Sequence, residues 1–311
     1  MNEQVSKFWL ICEDNVCHCD WRYSIVGCDE EYYARIFYIV TAVTSGLLAI
    51  IGTRKMSIKV QLFFFFQKKI TVNTINSKHT KRILTYFYFF FLMFYYERMI
   101  HAVFMVTDAI PNPVFRSFFF EFPFLFGYCA IASYLFGVAY TLSDTSYGIF
   151  KSWVRSQKMV NTLCVLTIIS PFITNISLPI ASGYYASIDN ISYANTLTTV
   201  QYYIWTFYTL YLGTLLLSAG IKLLQLLDKH LLVQTDLRKN ITKFKTGALK
   251  VKIIVLVGTS VLWIFAFLLA MYSICRPAIL KTTGLNMVVL AIWQFAGVIA
   301  TFFVEIAILI K

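Results

Sequence analysis

The sequence predicts an all-α polytopic membrane protein: a seven-transmembrane-helix bundle with its N-terminus outside and its C-terminus cytoplasmic. Three observations carry that expectation. The 311 residues are 59% hydrophobic and only 14% charged, with a mean hydropathy of +0.68, which is too little polar material to clothe a soluble globule of this size. The apolar residues gather into seven stretches, each about the 20 residues a helix needs to cross a hydrocarbon core of about 30 Å. Between the stretches, lysine and arginine are sharply concentrated in alternate connections.

Residues 1–31 form an expected extracellular, cysteine-bearing segment, and residues 32–311 the helical domain. Cys12, Cys17, Cys19 and Cys28 cluster in this acidic N-terminal segment. In an oxidising compartment they predict two disulfides in one of three pairings, stapling a small cap over the outer mouth. The spacing C-x4-C-x-C-x8-C, with His18 between two of the cysteines, also admits zinc. Structural zinc sites usually present C-x2-4-C pairs, which favours the disulfides. Lys7 precedes only a short apolar run, 8–12, before Glu13 and Asp14 end it, so no cleaved signal peptide is expected and the first span is read as an uncleaved anchor.

The spans are expected at 32–53, 83–106, 118–142, 162–182, 197–227, 253–274 and 286–310. Lys and Arg stay on the cytoplasmic side of a membrane, whereas Asp and Glu contribute little to orientation. Arg54, Lys55, Lys59, Lys68, Lys69, Lys78, Lys81 and Arg82 lie between spans one and two. Lys151, Arg155 and Lys158 follow span three, Lys229, Arg238, Lys239, Lys243, Lys245, Lys250 and Lys252 follow span five, and Lys311 ends the chain. The opposite side has Lys7, Arg22, Arg116, Arg276 and Lys281, so the count is nineteen against five. The net charge of +12 therefore reads as topology and contact with anionic lipid headgroups, with no nucleic-acid partner implied. The run Leu62, Phe63, Phe64, Phe65 and Phe66 is too short to span. It either lies in the interface with Lys68 and Lys69 toward headgroups or extends a neighbouring helix.

Three N-x-S/T sequons sort by this topology. Asn190 falls in an outer loop where glycosylation is possible, Asn175 lies within a span, and Asn240 in a cytoplasmic loop. Pro171 and Pro179 predict a kinked fourth helix, and Gly46, Gly137, Gly213, Gly220 and Gly297 fit close helix approach.

Ionisable groups at bilayer depth are costly and usually face a partner or a wet cavity. Glu97, Arg98 and His101 lie in span two, Glu121 in span three and Glu305 in span seven, and Arg98, His101 and Glu121 all belong to the outer half. Arg98 and Glu121 are expected to couple, with His101 or Glu97 as second partner. Together with Gln201, Tyr202 and Gln294 they are candidate ligand-binding residues of an outward-opening pocket; a structural bridge between helices two and three is the competing reading. No H-E-x-x-H, G-x-S-x-G, paired intramembrane aspartates or phosphate-cradling loop occurs, so neither an enzyme nor a catalytic residue, cofactor or metal is expected.

The rhodopsin-like motifs are missing: Tyr140, Thr141 and Leu142 stand where D-R-Y would follow span three, and spans six and seven lack C-W-x-P and N-P-x-x-Y. Instead, Glu121-Phe122-Pro123-Phe124-Leu125-Phe126 resembles the D-L-P-x-L-x-F that opens span three in the tobamovirus multiplication protein family. That family comprises seven-span, GPCR-like proteins of plants with animal and fungal relatives. Arg98-Met99-Ile100-His101-Ala102-Val103 is similar to its R-A-V stretch, and Gly220-Ile221-Lys222-Leu223 to its G-R-L. The cysteine-bearing N-terminus, the long basic first loop, and Ala139-Tyr140 in place of a second acid depart from it. The resemblance implies residence in the plasma membrane or an endomembrane and a scaffold or orphan-receptor role without enzymatic activity. The expected function is thus a receptor-like or scaffold protein that senses an outer-side ligand or organises cytosolic signalling or trafficking partners through its basic inner loops. A small-solute transporter is the alternative.

Overall fold

The computed structural model describes residues 7–13, 16–67, 75–145, 157–233 and 238–309. It is about 86% helical. Seven long helices follow a short hairpin: β1 (Leu10–Glu13), β2 (Val16–Cys19), α1 (Glu31–Gln67), α2 (Ile75–Thr107), α3 (Pro113–Thr145), α4 (Gln157–Ser187), α5 (Ile191–Val233), α6 (Arg238–Lys281) and α7 (Thr283–Leu309). All seven are long and apolar enough to cross a membrane.

The first six helices contain their expected spans and continue past them, because an apolar window fixes only what must be dry, while helix propensity and backbone hydrogen bonding carry the helix onward. Helix α7 covers the seventh span as far as Leu309, and residue 310 lies outside the described residues. The clearest case is α1, which runs through 62–66, so the phenylalanine run extends a helix. Asn240, expected in a loop, lies in the first turn of α6. Lys68, Lys69, Lys151, Arg155 and Lys311 lie outside the described residues, and the side chain of Glu305 does too.

Sequential helices pack side by side, α1 closes the ring against α7, and α3 also reaches α5. The core is aromatic, with Tyr38, Phe120, Tyr202, Tyr272 and Trp293 buried at its centre. The outer faces are apolar as well: Ile173, Phe207 and Phe267 are each about two-thirds exposed, at 67%, 65% and 68%. A belt of this kind is an aggregation hazard in water and a natural surface in lipid. Close approach is visible at two glycines. A Cβ on Gly183 would stand 2.6 Å from the Cα of Val114, so α3 and α4 meet there backbone to backbone, and one on Gly213 would stand 2.9 Å from the Trp263 ring.

The two ends of the bundle differ. At the end bearing the hairpin, the helices turn back over 108–112, 188–190 and the single residue Thr282. Near this end α6 bends at Cys275, which leaves helical geometry two residues before Pro277. The short loops leave the mouth of the bundle to be filled by the N-terminal segment.

Candidate functional site

That segment is a folded lid, and the hairpin is the β structure the all-helical expectation did not contain. Leu10 pairs with Cys19 and Cys12 with Cys17 in the antiparallel ladder. Of the three possible pairings, the disulfides are Cys12–Cys17, across the hairpin, and Cys19–Cys28, which closes the loop that follows it. Gly27, at φ 79, supplies the left-handed turn that brings the chain back to Cys28.

Within the loop closed by Cys19–Cys28, the chain drops into the bundle. Asp20, Trp21, Arg22, Tyr23 and Ile25 are all buried. Asp20, fully inaccessible, is the centre of an ionic knot. Arg22 donates from Nε to Oδ1 at 2.9 Å and from Nη2 to Oδ2 at 2.5 Å. Arg276 of α6 donates to Oδ2 from Nε at 3.1 Å and Nη2 at 2.8 Å, and the Tyr272 hydroxyl adds a bond at 3.1 Å. Burial alone would raise the Asp20 carboxyl. The two guanidiniums overcome it and hold the group far below the usual carboxylate range. The same ion pair overcomes burial at Arg22 and holds its guanidinium well above its ordinary value.

The lid is fastened on every side. The Tyr38 hydroxyl of α1 donates to the Trp21 carbonyl at 2.8 Å, Arg116 of α3 to the Tyr23 carbonyl at 2.6 Å, Asn286 of α7 to the Cys19 carbonyl at 3.2 Å, and Arg276 to the Phe8 carbonyl at 2.9 Å. Lys281 also pairs with Glu13. Arg116 further donates to Asp108 and to the Ile110 carbonyl, pinning the α2–α3 turn, where both residues have positive φ.

Beneath the lid the candidate ligand-binding residues fall into two compartments. In the first, Arg22 Nη1 donates to the Tyr202 hydroxyl at 2.9 Å, Tyr202 donates to Glu121 Oε1 at 2.6 Å, and Trp205 Nε1 donates to Glu121 Oε2 at 3.0 Å. The directions are forced, because guanidinium and indole nitrogens only donate; both Glu121 oxygens therefore accept, as a carboxylate requires. Gln201, one residue before Tyr202, is buried with its Nε2 unpaired.

In the second compartment Arg98 Nη2 donates to Gln294, to Oε1 at 2.5 Å and to the carbonyl at 3.1 Å. His101, three residues on, packs its ring against Tyr38 at 5.7 Å and Phe120 at 5.4 Å.

The expected Arg98–Glu121 couple is not formed: each has other partners. An aromatic partition lies between the two compartments, with Phe120 and Trp293 both at 5.4 Å from Trp21 and 5.8 Å from each other. Phe120 and Glu121 are consecutive on α3 and so diverge by about 100°, which sends the ring to one compartment and the acid to the other. Glu97 belongs to neither; it is only half-buried, on a different side of α2 from the buried Arg98. Asn190 caps α5, accepting the Tyr193 amide through Oδ1 at 3.3 Å.

Asp20, Trp21, Arg22, Tyr272, Arg276 and Trp293 went unnoticed in the sequence as site residues. The available signal was the triplet Asp20-Trp21-Arg22 enclosed by two cysteines, and a lone arginine beside Pro277 at the mouth of span six. Among the described residues, no three His, Cys, Asp or Glu side chains gather to hold a metal ion. No family model, curated protein or solved structure matches this chain.

Proposed function

We propose that this chain is a receptor-like integral membrane protein whose disulfide-stapled lid faces the outside and whose opposite end faces the cytosol, in the plasma membrane or an endomembrane. The nineteen-to-five distribution of Lys and Arg supports the orientation, and the apolar outer faces of the seven helices support the insertion.

The observation that carries the receptor reading is the continuous polar chain from Asp20 through Arg22 and Tyr202 to Glu121. It runs from the lid into the interior, joins α3, α5 and α6, and gives anything that shifts the lid a direct mechanical hold on helices whose far ends meet the basic inner connections. A ligand acts by differential affinity for lid-seated and lid-shifted states, and the output is recruitment of a signalling or trafficking partner. The resemblance to tobamovirus multiplication proteins points to the same scaffold or receptor role.

The test is proximity labelling from the C-terminus, comparing wild type with Tyr202→Phe, which cuts the chain while keeping the ring. The receptor reading expects a changed set of cytosolic neighbours at equal abundance and no solute flux in liposomes. An unchanged neighbour set together with flux through the purified protein would establish the transporter instead.

A further inference from the structure

The second compartment holds a buried charge that no acid among the described residues is shown to pair with. Arg98 is 2% exposed, and only its Nη2 is engaged, by the neutral Gln294; Nη1 has no protein acceptor. Gln294 Nε2, Trp293 Nε1 and His101 Nε2 are buried and unpaired as well. The buried acids among the described residues have other partners: Asp20 has Arg22 and Arg276, Glu121 has Tyr202 and Trp205, and Glu30 has His18.

Helix α1 adds hydroxyls at the same level. Tyr38 meets His101, a Cβ on Gly46 would meet Met99, and Phe37 meets Phe295, so the stretch between Tyr38 and Gly46 runs alongside Arg98 and Gln294. Thr41 and Ser45, fully buried and four residues apart on that stretch, leave their hydroxyls unpaired. Thr44 and Thr53 on the same helix instead close onto carbonyls four residues back, at 2.7 Å each. A buried hydroxyl that forgoes that bond is costly unless a neighbouring group or a bound species satisfies it.

The unpaired set, on α1, α2 and α7, is dominated by N–H and O–H groups that can donate, and it includes one cation without an acid partner among the described residues. Water would satisfy the dipoles but leave the charge, and a buried charge is tolerated only with a counter-charge. We propose that the α1–α2–α7 junction is a binding site for a small monovalent anion of the halide class, held by Arg98 and Gln294 with Thr41 and Ser45 as hydroxyl donors. The Phe124 ring lies 5.1 Å from the guanidinium and the Tyr38 ring 5.7 Å from that of His101, so the surroundings are aromatic and suit a small anion better than a large one. The site stands on this packing alone, whatever the bundle transmits.

Thermal unfolding of the purified full chain, followed by circular dichroism at constant ionic strength, tests it. Replacing gluconate by chloride is expected to raise the wild-type midpoint by about 5 °C, as for a ligand well above its dissociation constant. Arg98→Met is expected to lose that rise, with the same midpoint in chloride as in gluconate wherever that midpoint falls. Should Arg98→Met not fold, Thr41→Val reads the same site through a several-fold increase in the chloride concentration giving half the shift. Equal midpoints in chloride and gluconate would overturn the proposal in favour of water alone. A rise undiminished in the variants would place the anion elsewhere, and a rise in acetate without one in chloride would overturn the halide in favour of an organic acid.

Discussion

The compartments on either side of the Trp21–Phe120–Trp293 partition are built from similar materials and satisfied to different degrees. On the Glu121 side, the acid, the tyrosine and the lid arginine form a chain in which every bond has a forced direction. On the Arg98 side, one cation meets a neutral amide and several donors stand unpaired. Buried polar groups are usually paired, so the first compartment reads as structure that couples the lid to the bundle, and the second as a place where a further partner completes the set. The same kind of residue, an ionisable group buried inside the helical bundle, thus carries two different meanings, decided by its neighbours.

The largest effect expected from breaking this contrast is at Asp20. Asp20→Ala leaves Arg22 and Arg276 buried against one another without their shared acid, which costs about 3 to 5 kcal/mol when one partner of a buried pair is removed. Cellular abundance and the thermal midpoint of the purified protein are expected to fall steeply; a variant as stable as wild type would show that the knot does not hold the lid. The pH dependence follows from the direction of the shift. Because the folded Asp20 carboxyl titrates below its unfolded counterpart, its contribution is fully present from neutral pH down to about pH 4, and is lost progressively as pH falls further. Acid unfolding monitored by tryptophan fluorescence is expected to lose this component in Asp20→Asn.

Next come the disulfides. By chain entropy alone, removing either costs about 2 to 3 kcal/mol, and the two differ by only about half a kcal/mol. Cys19–Cys28, however, encloses the residues that enter the bundle, whereas Cys12–Cys17 only ties the hairpin. Cys28→Ser is therefore expected to increase protease cleavage within the lid well beyond Cys12→Ser. Equal susceptibility would show that the inserted residues hold themselves in place through Asp20 and Trp21 without the staple.

The contrast also explains what the sequence disclosed. Seven helices were legible because hydrophobic length is a local property, and Glu121 was legible as an acid at depth. The run at 62–66 could not be assigned between interface and helix, because its amino acids suit both and only the continuous backbone of α1 decides. The lid was hidden for a different reason: its anchors join residues 180 and 256 positions apart, Arg22 to Tyr202 and Asp20 to Arg276. In a tally of flanking charges Arg22 and Arg276 are indistinguishable from exposed loop residues. The Arg98–Glu121 couple failed because opposite charge at similar depth does not specify azimuth. The large rings of Phe120 and Trp293 took the space between them.

A smaller effect is expected at Tyr202, the link in the first compartment. Tyr202→Phe removes one hydroxyl that both accepts from Arg22 and donates to Glu121. A hydrogen bond to a charged group contributes about 1.5 to 3 kcal/mol. Combined with Glu121→Gln, the double change is expected to cost less than the sum of the single ones, since contacting residues couple by about 0.5 to 3 kcal/mol. Additive costs would show that the chain from lid to core is broken at this point.

The smallest expected effect is the most discriminating, because it is close to zero. If the partition separates the compartments, Arg98→Ala and Glu121→Ala act on different networks: Arg98 is tied to Gln294 and Glu121 to Tyr202 and Trp205. Sites without shared partners add within about 0.3 to 0.5 kcal/mol, so the double variant is expected to lose the sum of the two single losses in thermal stability. A coupling clearly larger than that would mean that the two charges feel each other through the aromatic wall. Phe120→Leu in the same background then locates the path: it is expected to leave the additivity of the original pair intact, because Trp21 and Trp293 still touch at 5.4 Å when the Phe120 ring is gone.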